Sequence, residues 1–128
     1  MRVLIVEDEA LTAMHLEMLV VDLGHEVCAV AACARDAIAH ASTHRPDVVL
    51  VDIRLALGSS GIVVAREVHA RHGLRCIFLS GNLDEATRNA VLPYEPIAFV
   101  GKPILPIQLQ RALENVARTA DRISRPLP

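Results

Sequence analysis

Aromatic residues are almost missing from this chain of 128 residues: they make up 2%, namely Phe78, Phe99 and Tyr94, with no Trp. That scarcity argues against a single-strand nucleic-acid binder, which needs rings as stacking platforms. It also leaves the core to Val, Leu, Ile and Ala, and with 52% apolar residues this suits a buried parallel sheet wrapped by helices. Lysine is scarcer still: twelve of the thirteen basic residues are Arg, and the one Lys is Lys102. Fifteen acidic residues bring the net charge to −2, which excludes a broadly basic nucleic-acid or membrane-surface footprint. No apolar run approaches the ~20 residues that span a bilayer. Four apolar residues, 3–6, lead straight into Glu7-Asp8, too soon for a signal peptide. The three cysteines, Cys28, Cys33 and Cys76, form no Cys-x-x-Cys pair and leave one odd, so no disulfide framework is expected. Together these absences predict one cytoplasmic domain in a reducing compartment, within the usual range of about 100–150 residues.

What is present alternates. Residues 3–6, 27–30, 48–51, 76–79 and 97–100 are short aliphatic runs that read as strands buried on both faces. Between them lie segments with helical period. In the first, Leu11, Met14, Met18 and Val21 share one face, and Gly24 stands where a helix would stop. The second spans about residues 36–45 and is ended by Pro46. The third follows Ser59-Ser60 and stops at Gly73, and the fourth starts near Asp84 and cannot pass Pro93. The fifth begins around Pro106 with Leu109, Ala112, Leu113, Val116 and Ala117 on one face. Strict strand–helix alternation predicts an α/β fold: one doubly wound, five-stranded parallel sheet with helices on both faces. Residues 1–120 are expected to form the domain and 121–128 a tail or linker stub.

In such sheets, sites form beyond the carboxyl ends of the strands. Here those ends carry Glu7-Asp8, Asp52, Ser80-Gly81 and Gly101-Lys102-Pro103. In the flavodoxin-like order 2-1-3-4-5 the switch point falls between strands 1 and 3, the two acidic ones. Each residue has an ordinary alternative: Glu7 and Asp8 can favour a helix N-terminus, Asp52 and Ser80-Gly81 can form turns, and Lys102 can be a solvated cation. The joint pattern favours chemistry. Clustered carboxylates repel unless a cation sits among them, and few oxygen ligands with room for water suit Mg²⁺. A nearby ammonium and hydroxyl then suit a phosphoryl group.

At these residues the chain resembles the receiver domain of two-component response regulators, chemotaxis-regulator-like, either a stand-alone receiver or one from a longer regulator or hybrid kinase. The motifs are Val-Leu-Ile-Val-Glu-Asp-Glu at 3–9, Val-Asp-Ile-Arg-Leu at 51–55, Phe-Leu-Ser-Gly at 78–81 and Phe-Val-Gly-Lys-Pro at 99–103. The resemblance implies that Asp52 takes a phosphoryl group from the phosphohistidine of a histidine kinase or phosphotransfer protein. It implies Mg²⁺ held by Glu7, Asp8, Asp52 and the backbone carbonyl of Arg54. Lys102 and Ser80 would contact phosphoryl oxygens, and Ser80 and Phe99 would form a switch reshaping helix 4, strand 5 and helix 5. On phosphorylation Phe99 is expected to bury its ring in space that Ser80 vacates. Such a domain is no conventional enzyme; it catalyses only its own phosphorylation and dephosphorylation. Its partners would be a kinase and a downstream protein target, with homodimerisation left open and no direct nucleic-acid or membrane binding.

The chain departs from the family's pattern in places. Phe99 stands where a Tyr is frequent, so no hydroxyl can bond across the switch. Asn82 follows Ser80-Gly81 where a subset of stand-alone receivers has Tyr. Leu105, before Pro106, replaces a capping residue, an omission that costs about 1 kcal/mol of helix start. Ile104, Leu105 and Ile107 read either as local packing or as a partner surface. A magnesium-dependent phosphatase using Asp52 as nucleophile is the rival reading, but the acid/base position two residues on is Arg54, which cannot serve. The pairs His40/His44 and His69/His72 read as solvated faces, and Cys28, Cys33 and His25 fit no usual zinc spacing.

Overall fold

Every aliphatic run becomes a strand, and the strand ends decide where the polar residues emerge. The structure, a computed structural model, describes residues 1–55 and 60–124, the side chains of 117 and 119–124 excepted. The elements are β1 (Arg2–Val6), α1 (Ala10–Asp22), β2 (Glu26–Ala31), α2 (Ala34–His44), β3 (Val48–Asp52) and α3 (Gly61–His72). They continue with β4 (Cys76–Ser80), α4 (Glu85–Val91), a 3₁₀ turn (Leu92–Tyr94), β5 (Ala98–Gly101) and α5 (Pro106–Ser124). The sheet is parallel, in the order β2-β1-β3-β4-β5.

Alternation along each strand divides the core in two. Leu4, Val6, Val49, Val51 and Phe78 face α2, α3 and α4, against Ala37, Ala41, Val64, Val68 and Val91. Val3, Ile5, Val48, Leu50, Ile77 and Leu79 face α1 and α5, against Leu16, Val20, Leu109 and Leu113. Side chains buried to this degree each contribute about 1.5–3 kcal/mol of transfer free energy. Helix ends follow the expected signals: Ser60 caps α3 by accepting from Ile62 N–H at 3.1 Å, and Gly73 closes it at φ 65°. Asp84 caps α4 by accepting from Thr87 N–H at 2.7 Å.

Two expectations change. The α1 stripe points outward: Leu11 is 76% exposed, Met18 63%, and Met14 and Val21 are exposed with them. The core instead takes Ala13, Leu16 and Val20. The helix is apolar on two sides, so its periodicity had two solutions. At the start of α5, Ile104 is buried in the core, while Leu105 and Ile107 are exposed, so the partner-surface reading survives for only the latter two. Leu109, Ala112, Leu113 and Val116 form the buried face of α5, and the side chain of Ala117 lies outside the described residues. The helix runs to Ser124; residues 125–128 of the expected tail are likewise outside.

Candidate functional site

Among the described residues, the buried polar or charged side chains are Glu7, Asp52 and Ser80, and all three stand at the carboxyl rim of the sheet. The backbone brings them there. Glu7 N–H donates to the Ala31 carbonyl at 2.9 Å, extending β1 beyond its last paired residue. Asp52 pairs with Leu79 across β3–β4, and Ser80 pairs with Gly101 across β4–β5. Lys102 N–H donates to the Ser80 carbonyl at 2.9 Å, which sets the lysine beside the acids. A cis peptide bond joins Lys102 to Pro103.

Lys102 Nζ bridges the two buried acids, donating to Asp52 Oδ2 at 2.6 Å and to Glu7 Oε2 at 3.0 Å. The other two carboxylate oxygens have backbone donors: Arg54 N–H to Asp52 Oδ1 at 3.1 Å and Glu9 N–H to Glu7 Oε1 at 3.2 Å. Burial pushes the Glu7 carboxyl above its usual range, with the Lys102 bond pulling the other way and Asp52 adding to the rise. For Lys102, burial works against the charged form, but the bonds to Asp52 and Glu7 outweigh it and raise the ammonium above its ordinary value. One cation thus holds two buried acids together, the condition under which such a cluster is tolerated.

Asp8 completes the acidic set from an exposed position. One oxygen each from Glu7, Asp8 and Asp52 lie within 4.8 Å of one another. Hard oxygen donors with an open side at Asp8 fit Mg²⁺, which keeps several waters. Beside them a cleft of about 200 Å³ is lined by Asp52, Arg54, Ser80, Gly81, Asn82 and Lys102. The expected residues therefore converge on one space. Phe99 lies apart from this cleft, half-buried against Phe78 on the α4 side of the sheet.

Three features were not foreseen. Ser80 is engaged locally: its hydroxyl donates to the Asn82 carbonyl and accepts from Asn82 N–H, both at 3.0 Å. Gly61 presses against the end of β3, where an added Cβ would stand 2.2 Å from the Asp52 carbonyl oxygen. Its N–H donates to the Ile53 carbonyl at 2.9 Å, so a side-chain-free residue lets α3 close over the Asp52 loop. A glycine just after a capping serine was the available signal. The third is Arg88, whose guanidinium carbon lies 4.9 Å from the Phe99 ring centroid. The histidines have other contacts: His72 Nε2 bonds Ser42 Oγ and His69 Nε2 bonds Glu95 Oε2, each at 3.1 Å. Cys28 Sγ donates to the Val3 carbonyl, and burial raises the Cys76 thiol to about 12.

Residues 3–114 match the family described as response regulator receiver domain. The chain is 37% identical over 114 residues to the phyllosphere-induced regulator PhyR of Methylorubrum extorquens, covering 88% of this chain and 42% of that protein. It is 31% identical over 117 residues to the transcriptional regulatory protein PdtaR of Mycobacterium tuberculosis, covering 88% of this chain and 55% of that one. The chain thus spans about half, or less, of these relatives. Among solved structures, the signal receiver domain of a modulated diguanylate cyclase from Desulfovibrio desulfuricans superposes with a TM-score of 0.88 at 30% identity. That match covers 96% of this chain and 98% of the other. No helix among the described residues is long and apolar enough to cross a membrane.

Proposed function

This chain belongs to the response regulator receiver domains of two-component systems, and on that premise we propose that Asp52 is its phosphoacceptor. The observation that carries the reading is the buried polar set: burying Glu7, Asp52 and Ser80 is costly, yet Asp52 and Ser80 line one cleft with Lys102, and Lys102 also bonds Glu7. An Asp52 carboxylate oxygen attacks the phosphorus of a phosphohistidine; the P–N bond breaks, a P–O bond forms, and the imidazole leaves. Lys102 follows the incoming charge, giving up part of its hold on Glu7 and Asp52 to bond a phosphoryl oxygen. Arg54 N–H holds Asp52 in orientation during the attack. Phosphoryl transfer depends mainly on positioning and charge neutralisation, and both are prepared here. Glu7, Asp8, Asp52 and the Arg54 carbonyl would hold Mg²⁺, which when bound neutralises charge on the phosphoryl oxygens. Catalysis is confined to the domain's own phosphorylation and dephosphorylation.

The phosphodonor, a histidine kinase or phosphotransfer protein, lands beside α1, which begins two residues after Asp8 and shows its apolar stripe outward. Exposed apolar patches of that kind favour a helical partner. Output passes to a downstream protein through the surface of α4, β5 and α5.

Incubation with acetyl phosphate and Mg²⁺ tests the phosphoacceptor. One phosphoryl group should add, as an acid-stable, base-labile mass increase located at Asp52, and chelation should prevent it. Labelling of Asp52→Asn at the wild-type rate would overturn the assignment.

A further inference from the structure

The Phe99 ring has two partners. One face lies on Phe78, with ring centroids 5.7 Å apart and planes 23° from parallel. The Arg88 guanidinium covers it from α4, its carbon 4.9 Å from the centroid. No carboxylate pairs with Arg88 among the described residues, so the ring is the recorded partner of this cation. The ring is half-buried, and the Arg88 guanidinium lies over it.

The element that can move is α4. It is a helix of seven residues, too short to be stable by itself, so its position depends on its attachments. At its N-terminus, Asp84 accepts from Thr87 N–H, and Arg88 N–H donates to the Asp84 carbonyl at 3.1 Å. Two residues before Asp84, Asn82 is bonded in both directions to Ser80. The Thr87 bond, with a smaller contribution from Arg54, holds the Asp84 carboxyl below the usual carboxylate range. Ser80, the Asn82 turn, the Asp84 cap and Arg88 thus lie on one short stretch of chain that leads from the cleft to the cation over the Phe99 ring. If Ser80 turns to a phosphoryl oxygen, it must release Asn82, and the loop that seats α4 is freed.

We propose that Arg88 is the positioning residue of this switch: it clasps Phe99 against Phe78 in the resting state, and its release with α4 is part of the change a partner reads. The proposal rests on the phosphoacceptor reading of Asp52 and deepens it. A clasp that favours the resting state opposes the active one, so its removal should ease activation. A partly exposed cation–π contact is worth enough to shift that equilibrium about two- to fivefold.

The test uses the full chain with Mg²⁺ and beryllofluoride, which adds to a carboxylate as a phosphoryl mimic. With so few aromatic residues, the Phe99 ring signals are readily resolved by NMR. On binding, the Phe99–Phe78 contacts should persist while those from Phe99 to the Arg88 side chain disappear. Arg88→Ala should bind beryllofluoride about two- to fivefold more tightly than wild type, and Arg88→Lys should lie between them. In a Phe99→Leu background the Arg88→Ala effect should vanish, as a double-mutant cycle requires. Equal affinity in wild type and Arg88→Ala, an undiminished effect without the ring, or persistence of the Arg88–Phe99 contact in the bound state would each overturn the clasp. A wild-type chain whose Asp52 cleft gives no response to beryllofluoride overturns the phosphoacceptor reading and the clasp with it. A responsive cleft with a silent Arg88→Ala removes the clasp alone.

Discussion

At the β1–β3 end of the rim, each oxygen of Glu7 and Asp52 has its own donor, two supplied by the backbone and two by Lys102 from the far side of the sheet. At the β4–β5 end, the Ser80 hydroxyl bonds to Asn82, two residues away, and Phe99 is held by a ring stack and a cation. The first region joins β1, β3 and the segment after β5, so no part moves without breaking charged bonds worth ~1.5–3 kcal/mol each. The second is closed by weaker contacts, two neutral hydrogen bonds, a ring stack and one cation–π contact, worth about 1 kcal/mol each, which a new ligand can replace. The difference separates two tasks on one sheet edge: holding the reacting groups still, and reporting that they have reacted.

The largest effect should come from removing the cation that ties the first region together. Breaking a buried ion pair from one side costs ~3–5 kcal/mol. The Lys102 side chain is 26% exposed, so Lys102→Met should lose about 2–3 kcal/mol at neutral pH, measured by urea unfolding. The loss should depend on pH with a definite sign. Glu7 is already raised by burial, and without Lys102 it rises further. The folded state then keeps a proton that the unfolded chain has released. That stabilisation is full below the ordinary carboxylate value and is lost as pH rises through the raised one. The deficit of the variant against wild type should therefore be small in acid and grow towards neutrality. A deficit that grows in acid would mean that Glu7 is not the group Lys102 compensates.

Gly61→Ala should be next. A Cβ 2.2 Å from the Asp52 carbonyl oxygen meets backbone, which cannot swing aside, and overpacking of this kind costs about 1–3 kcal/mol. Because the displaced atoms carry Asp52, phosphoryl uptake from acetyl phosphate should slow beyond what the stability loss explains. A variant that is destabilised yet labels at the wild-type rate would show that the β3 end tolerates movement, and would blur the contrast between the two regions.

Much of the first region was legible in the sequence, because its signals are local. An aliphatic run ending in Glu7-Asp8, another ending in Asp52 and a lone Lys102 after a third need only the parallel-sheet rule to be brought together. The second region was legible only in part. Ser80 ends β4 and Phe99 lies within β5, so both could be named, but the Arg88–Phe99 contact spans eleven positions and depends on how α4 seats. No period or motif encodes that. The Ser80–Asn82 turn and the fit of Gly61 to the Asp52 carbonyl are likewise backbone geometry. The outward face of α1 escaped for another reason: Leu16 and Val20 compete with Leu11, Met14 and Met18, and only the sheet decides between them.

Hydrogen exchange of the amides that bond these side chains tests the contrast most directly, compared with and without beryllofluoride and Mg²⁺. Glu9 N–H and Arg54 N–H, which hold Glu7 and Asp52, should stay protected in both states. Asn82 N–H, which holds Ser80, should lose its protection when the mimic binds, and the amides of α4 should follow. Unchanged protection at Asn82, or loss at Glu9 and Arg54 as large as at Asn82, would contradict the division into a fixed reacting region and a released reporting one.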